Sequence, residues 1–232
     1  MMTTTQYQNN HISAKALAGL MLVQMALGLL LNFYFLKPIL RYDGSTSVEE
    51  ITFILGCATI VALIISAINI AFGLLLPQEK TKEYWRTFVF LIVFAGAGLT
   101  LCAYEYAQLA KYVSFLASQS TTEATSQLLR ETLASGRNEA HYLSIFVSSC
   151  SLALFYFLLI RAELMHKWLS YFAFVATLLQ LIAVGHTFFQ TSIPNILQLP
   201  LLISQLTVPA YLLVLGFKQA NPLTTEQPES DI

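Results

Sequence analysis

Residues 51–76 read ITFILGCATIVALIISAINIAFGLLL. No side chain in this run is charged, and the run exceeds the ~20 residues that a helix needs to cross a hydrocarbon layer. In lipid a lone strand would leave its backbone unpaired, whereas a helix satisfies its N–H and C=O groups internally. The stretch therefore reads as a transmembrane helix. The same test applied outward along the chain gives five more, at 14–36, 87–110, 140–160, 168–190 and 196–217. The fold class that follows is all-α: a polytopic integral membrane protein of about six transmembrane helices. Residues 1–218 form the bundle in this reading. The polar, proline-containing end, 219–232, is expected to be a disordered cytoplasmic tail.

Composition agrees. Charged residues make up 11 % of the chain, against roughly 25 % in soluble domains. The 12 basic and 13 acidic residues leave a net charge of −1. With no basic excess to neutralise phosphates, nucleic acid is not an expected partner, and the lipid bilayer is. Cys57, Cys102 and Cys150 all fall in apolar runs with no metal spacing, so they read as packing residues. The first apolar run is too long for a signal-peptide core and lacks a small-x-small exit, so it reads as a retained span. In the last span Pro200 sits near the first turn, while Pro209 predicts a kink and a freed carbonyl.

Basic residues set the expected orientation. Lys15, Lys80, Lys82, Arg86, Arg161, Lys167 and Lys218 share one side; Lys37, Arg41, Lys111, Arg130 and Arg137 share the other. The short loops carry the richer set, so both termini are expected in the cytoplasm. Trp85 and Trp168 fall at that same boundary, as in an aromatic belt. The connection 111–139 lies outside. KYVSFLASQ can prolong the third helix, and TTEATSQLLRETLASG reads as a separate short helix. Thr121 or Thr122 would cap it, Leu128, Leu129 and Leu133 would form its apolar edge, and Gly136 would stop it.

Small and polar residues recur at helical steps: Gln24, Gly28 and Asn32; Thr59, Ala62, Ser66, Asn69 and Gly73; Gly98, Cys102 and Glu105, continuing to Tyr112. The later spans carry His141, Ser144, Ser148 and Ser151, then Ala176, Gln180, Ala183, His186 and Gln190. Each set lies on one helix face, and helix packing alone can account for such stripes. Four residues ask for more. Glu105 is the one formal charge well inside a predicted span, where a carboxylate is costly and pairs, protonates or serves function. His141, His186 and Asn32 fall at a similar depth, near the outer leaflet. The expected buried polar cluster is thus Glu105, His141, His186 and Asn32. His11 and His166 read as surface residues, His11 in a flexible start.

Three explanations of the cluster stay open: a hydrogen-bond network that pins helices, a proton- or solute-binding site, or a metal or haem site. Two histidines and a carboxylate suit zinc with an open position, and His141 with His186 would suit haem, but no H-E-x-x-H spacing supports either. No cofactor is predicted. No phosphate loop, G-x-S-x-G or kinase signature is present, nor paired Gly/Pro interruptions of the kind that mark transporters.

The run AHYLSIFVSSCSLALFYFLLIRAELMHKWLSYFAFVA resembles the bacterial membrane-protein family called domain of unknown function 4386. The resemblance rests on Phe155, Tyr156, Leu158 and Leu159, then Arg161, then Trp168 and Leu169. LPLLISQLTVPAYLLVLGFK is similar to that family's last helix, and AKALAGLMLVQMALGLLLNFYFL to its first. His166–Lys167–Trp168 replaces the family's proline-arginine-tryptophan turn, and Gln205 stands where an acid is common. The resemblance implies a multi-pass protein of the bacterial inner membrane and no particular activity. The expected function is to bind or move a small solute, lipid or proton through the polar cluster. A membrane-embedded metal enzyme using Glu105, His141 and His186, or a non-catalytic partner subunit, are the alternatives.

Overall fold

A computed structural model describes residues 4–40, 47–118, 123–189 and 194–218. Among them every regular element is helical, and six helices are long and apolar enough to span a membrane. The first span is α1 (Thr4–Leu30), a π-helical segment (Leu31–Leu36) and α2 (Lys37–Leu40). The second is α3 (Val48–Leu74). Short α4 (Gln78–Thr81) and a 3₁₀ turn lead into α5 (Trp85–Ser118). Then come α6 (Glu123–Arg161), α7 (Lys167–Phe188), a second 3₁₀ turn (Asn195–Gln198) and α8 (Leu199–Leu215).

Local chemistry explains the boundaries. Ser47 caps α3, its hydroxyl accepting from the Glu50 N–H at 3.2 Å. Glu49 and Glu50 place negative charge in the same first turn, where the helix dipole favours it. Pro200 sits in the first turn of α8, where its missing N–H costs nothing. Pro209 lies inside α8, which continues through it as one helix to Leu215. Pro38 follows the π segment; its ring crowds the carbonyl of Tyr34 one turn back, and the wider π register absorbs that crowding.

The connection after the third span corrects part of the sequence reading. KYVSFLAS does continue α5, to Ser118. The expected separate helix does not stop at Gly136: it is the first third of α6, which runs unbroken from Glu123 to Arg161. An interior glycine costs about 1 kcal/mol relative to alanine. Leu133 and Ala134 pack on a core cluster one turn before it, and Ala140 is buried one turn after, which offsets that loss. Thr121 and Thr122 lie outside the described residues, as does the tail 219–232. With 34 and 39 residues, α5 and α6 are about 51 and 58 Å long. Both outrun a ~30 Å hydrocarbon layer and project from it as an antiparallel hairpin.

The spans pack as a ring in chain order. α1 touches α3, α3 touches α5, α5 touches α6, α6 touches α7, α7 touches α8, and α8 returns to α1. Short connections between antiparallel helices favour such neighbours. The α5–α6 contact is the most extensive. Gly98 permits it, since a Cβ there would lie 2.6 Å from Ser148 Oγ, and Ser151 Oγ donates to the Leu91 carbonyl at 3.3 Å across the same seam.

The ring is flattened, because α3 and α6 also touch across its middle, and side chains from the other spans share the remaining interior space. How that space is filled differs along the axis. At the end carrying the 75–84 connection and the 162–166 turn, large side chains fill it. Leu17, Phe72, Leu91, Phe155, Tyr156, Met165 and Leu212 form one core from all six spans, with α7 contributing Ala173. Phe72 and Phe155 meet across the ring, centroids 5.6 Å apart. At the hairpin end the core is one-sided. Leu36, Ile39, Ile51, Leu55, Tyr106 and Leu109 pack together, and neither α7 nor α8 contributes.

The filled end is also the basic end. The Lys218 N–H donates to the Leu164 carbonyl at 2.7 Å, and Lys80 Nζ donates to the Lys218 carbonyl at 2.8 Å. Arg161 stacks over Tyr84 at 5.2 Å and Arg86 over Trp85 at 5.6 Å. Gly216 turns the chain at φ +69°, and a Cβ there would lie 2.7 Å from His11 Nδ1. His11 is therefore no part of a loose start: it is helical, half-buried and packed on the Gly216 turn. His166 is exposed, as expected.

Candidate functional site: a polar cleft at the hairpin end

Where the second core omits α7 and α8, a cavity of about 590 Å³ remains. Every span lines it: Gln24 and Asn32, Ser66 and Asn69, Glu105, then His141 and Ser144, then Gln180, then Gln205. The polar stripes thus do turn inward, and onto one space. On α6 the lining runs from His141 to Tyr156, about 22 Å at 1.5 Å per residue. Its floor is Met21, Phe72, Leu152 and Tyr156, which belong to or pack on the core at the basic end. The cavity is accordingly a blind cleft, closed toward the basic end.

Glu105 is its charged centre. The residue is 5 % exposed, and His141 Nδ1 lies 2.7 Å from its Oε1. With the carboxylate ionised, the ring N–H donates to it; with the carboxyl protonated, the acid O–H donates to the ring. Arg137 Nη2 sits 3.6 Å from the same oxygen, its side chain 10 % exposed. Arg137 Nη1 donates to Asn138 Oδ1 at 3.1 Å, while its Nε is buried with no partner among the described residues. Burying a lone carboxylate is prohibitive, and a guanidinium plus an imidazole one turn apart on α6 supply what makes it tolerable. Deeper in, Gln24 Nε2 donates to Asn69 Oδ1 at 2.8 Å and to the Ile65 carbonyl at 3.0 Å, tying α1 to α3.

Of the four residues singled out from the sequence, three reach the cleft. Glu105 and His141 bond directly, and Asn32 lines the mouth, its amide donating to the Gly28 carbonyl of its own helix at 2.9 Å. His186 does not line it. It is half-buried in the last turn of α7. The three-ligand arrangement expected for zinc is therefore not assembled: among the described residues no three His, Cys, Asp or Glu side chains are placed to hold one metal ion. Nor does the cleft present His141 and His186 as a pair for haem, since only His141 lines it. Cys102 is buried in the wall, and Cys57 and Cys150 are half-buried free thiols, as packing residues would be.

Sequence reasoning missed Arg137, Tyr156 and Gln205. The sequence places Arg137 in the connection 111–139, whereas in the fold it precedes His141 by one turn of the same helix. An Arg-x-x-x-His step was legible once α6 was read through Gly136. Tyr156 is fully buried and forms part of the cleft floor, with the Ser204 hydroxyl as its polar neighbour. Gln205 lies four residues before Pro209, so the carbonyl that Pro209 leaves unpaired is that of a cleft-lining residue. Compared with protein-family models, curated proteins and solved structures, the chain matches none.

Proposed function

We propose that this is a ligand-binding membrane protein whose site is the blind cleft and whose anchor is the Glu105–His141 pair. The observation that carries the reading is that all six spans direct polar side chains into one cavity whose single buried carboxylate is hydrogen-bonded to a histidine. Packing alone needs neither a cavity of this size nor an acid inside it. The volume falls in the range of small-molecule sites, roughly 300–1,000 Å³. The hydrogen-bonded pair can hold one proton on either partner, which couples protonation to whatever bonds Glu105. The closed floor favours binding over open permeation.

The same proposal places the basic end in the cytoplasm, with both termini, because the short connections there carry the larger share of Lys and Arg. The resemblance to domain of unknown function 4386 supports the bacterial inner membrane as its location. The test is a stability screen of the purified protein against small amines, hydroxy compounds, carboxylates and lipids. A ligand raises the unfolding midpoint by mass action. At least one class is expected to raise it for the wild type and not for Glu105→Gln. Equal shifts in both proteins, or none in any class, would remove Glu105 from the binding role.

A further inference from the structure

The way the ring fails to close at the hairpin end specifies where a ligand enters. α1 and α8 pack tightly at the basic end, through Ala14, Leu17 and Ala18 against Val208 and Leu212. Beyond Met21 the burial of α1 ends. No residue of α1 from 22 to 30 is buried, and the next buried positions, Leu31 and Leu36, belong to the opposite core with α3 and α5. On the other side of the gap the first turn of α8 is likewise uncovered. Four cleft-lining side chains are also open to the outside of the bundle: the polar Asn32, whose amide is turned back onto the Gly28 carbonyl, and Leu29 at 52 %, Phe33 at 71 % and Leu202 at 50 %. Three of the four are apolar, and they come from the first and last spans, α1 with its π segment on one side and α8 on the other.

That rim sits within the first and last candidate membrane spans, Asn10–Leu40 and Ile196–Leu215. An opening to water would expose Leu and Phe at its lip, at a cost of about 25 cal/mol per Å². An opening to lipid costs nothing. Gly28, which lines the cleft beside this rim, has no atom within 4 Å of where a Cβ would stand. The π segment, Leu31–Leu36, carries Phe33 on this rim while its Leu31 and Leu36 pack into the second core with α3 and α5.

From this geometry we infer that the cleft opens sideways into the leaflet at the hairpin end and takes an amphiphile from the bilayer. Its head carries hydrogen-bond donors, an ammonium or hydroxyl group, that Glu105 accepts. Its apolar chain lies against Leu29, Phe33 and Leu202. The inference rests on the cleft being a binding site, and the experiment separates the two claims.

The two native tryptophans, Trp85 and Trp168, lie at the basic end and are replaced by phenylalanine. A single reporter is then placed in the cleft wall by Ile145→Trp, with Gln180→Trp as a second position should the first fail to fold. The protein is reconstituted in nanodiscs of phosphatidylethanolamine whose chains are brominated. Brominated chains entering the cleft quench the reporter, so it should lose most of its emission. Gly28→Leu, which fills open space at the rim, should restore that emission without lowering the unfolding midpoint. If bromolipid leaves the reporter bright while water-borne iodide quenches it, the cleft is a water-filled vestibule. The lipid inference then fails and the binding reading stands. If neither quencher reaches either reporter, the cleft is closed and both readings fail.

Discussion

Glu105 and Arg137 offer the sharpest energetic prediction. Their charged atoms lie 3.6 Å apart, with the two side chains 6 % and 10 % exposed. At an effective dielectric of about 20 the attraction between unit charges at that distance is about 4.6 kcal/mol. Desolvation of both groups takes back much of this. The separation also exceeds a good hydrogen bond, so the pair works as a charge contact and not as a bidentate clamp. The expected coupling energy is therefore about 1–3 kcal/mol. Each single substitution, Glu105→Gln or Arg137→Met, should cost more than that coupling, roughly 2–4 kcal/mol, because each leaves its former partner buried. The double substitution should cost less than the sum of the singles by the coupling energy. The assay is equilibrium unfolding in mixed detergent micelles, followed by circular dichroism, for all four corners of the cycle. Additivity to within about 0.5 kcal/mol would refute the reasoning, because non-interacting sites behave that way.

Further outcomes follow from other contacts. Gly98→Ala should destabilise by about 1–3 kcal/mol through forced separation of α5 and α6. Adding Ser148→Ala should recover most of that, since the hydroxyl at 2.6 Å is the obstacle and the remaining atoms stand at 3.5–3.6 Å; unfolding midpoints test it. Gln24→Leu should cost about 1–2 kcal/mol for two interhelical bonds in the bilayer, and Asn69→Leu added to it should cost little more, a comparison made by the same cycle. Glu163 holds φ +48° in the α6–α7 turn, so Glu163→Gly should stabilise by about 1 kcal/mol. The exposed Lys167 pair it gives up, at 3.5 Å, subtracts only about 0.3–0.5 kcal/mol.

The six spans were legible because lipid imposes one rule on every residue, and runs such as 51–76 obey it without exception. Inward faces were legible for the same reason: Gln24, Ser66, Glu105, His141 and Gln180 cannot face hydrocarbon at no cost, and all five line the cleft. What the sequence hid was placement across helices. His186 shares a depth with Glu105, but depth along a helix says nothing about azimuth around a ring. The hairpin was misread at one residue. Gly136 carries the signature of a helix stop, and only the packing of Leu133 and Ala134 on the second core shows that the helix runs on. Arg137 followed it into the wrong element. The cleft itself had no sequence signal, because it arises from two cores that share the first span, α3 and α5 but divide over α7 and α8.

The account stands on Glu105 and His141 meeting inside the bundle, and one distance tests that. With ¹⁵N-labelled histidine and ¹³C-labelled glutamate in lipid bilayers, and His11, His166 and His186 replaced, solid-state NMR reads the dipolar coupling between the His141 Nδ1 and the Glu105 carboxyl carbon. A strong coupling, as a 2.7 Å nitrogen–oxygen contact requires, is the predicted result, and Glu105→Gln should change the Nδ1 shift. No recoupling at that pair would contradict the account, and the polar residues of the six spans would then serve helix packing alone.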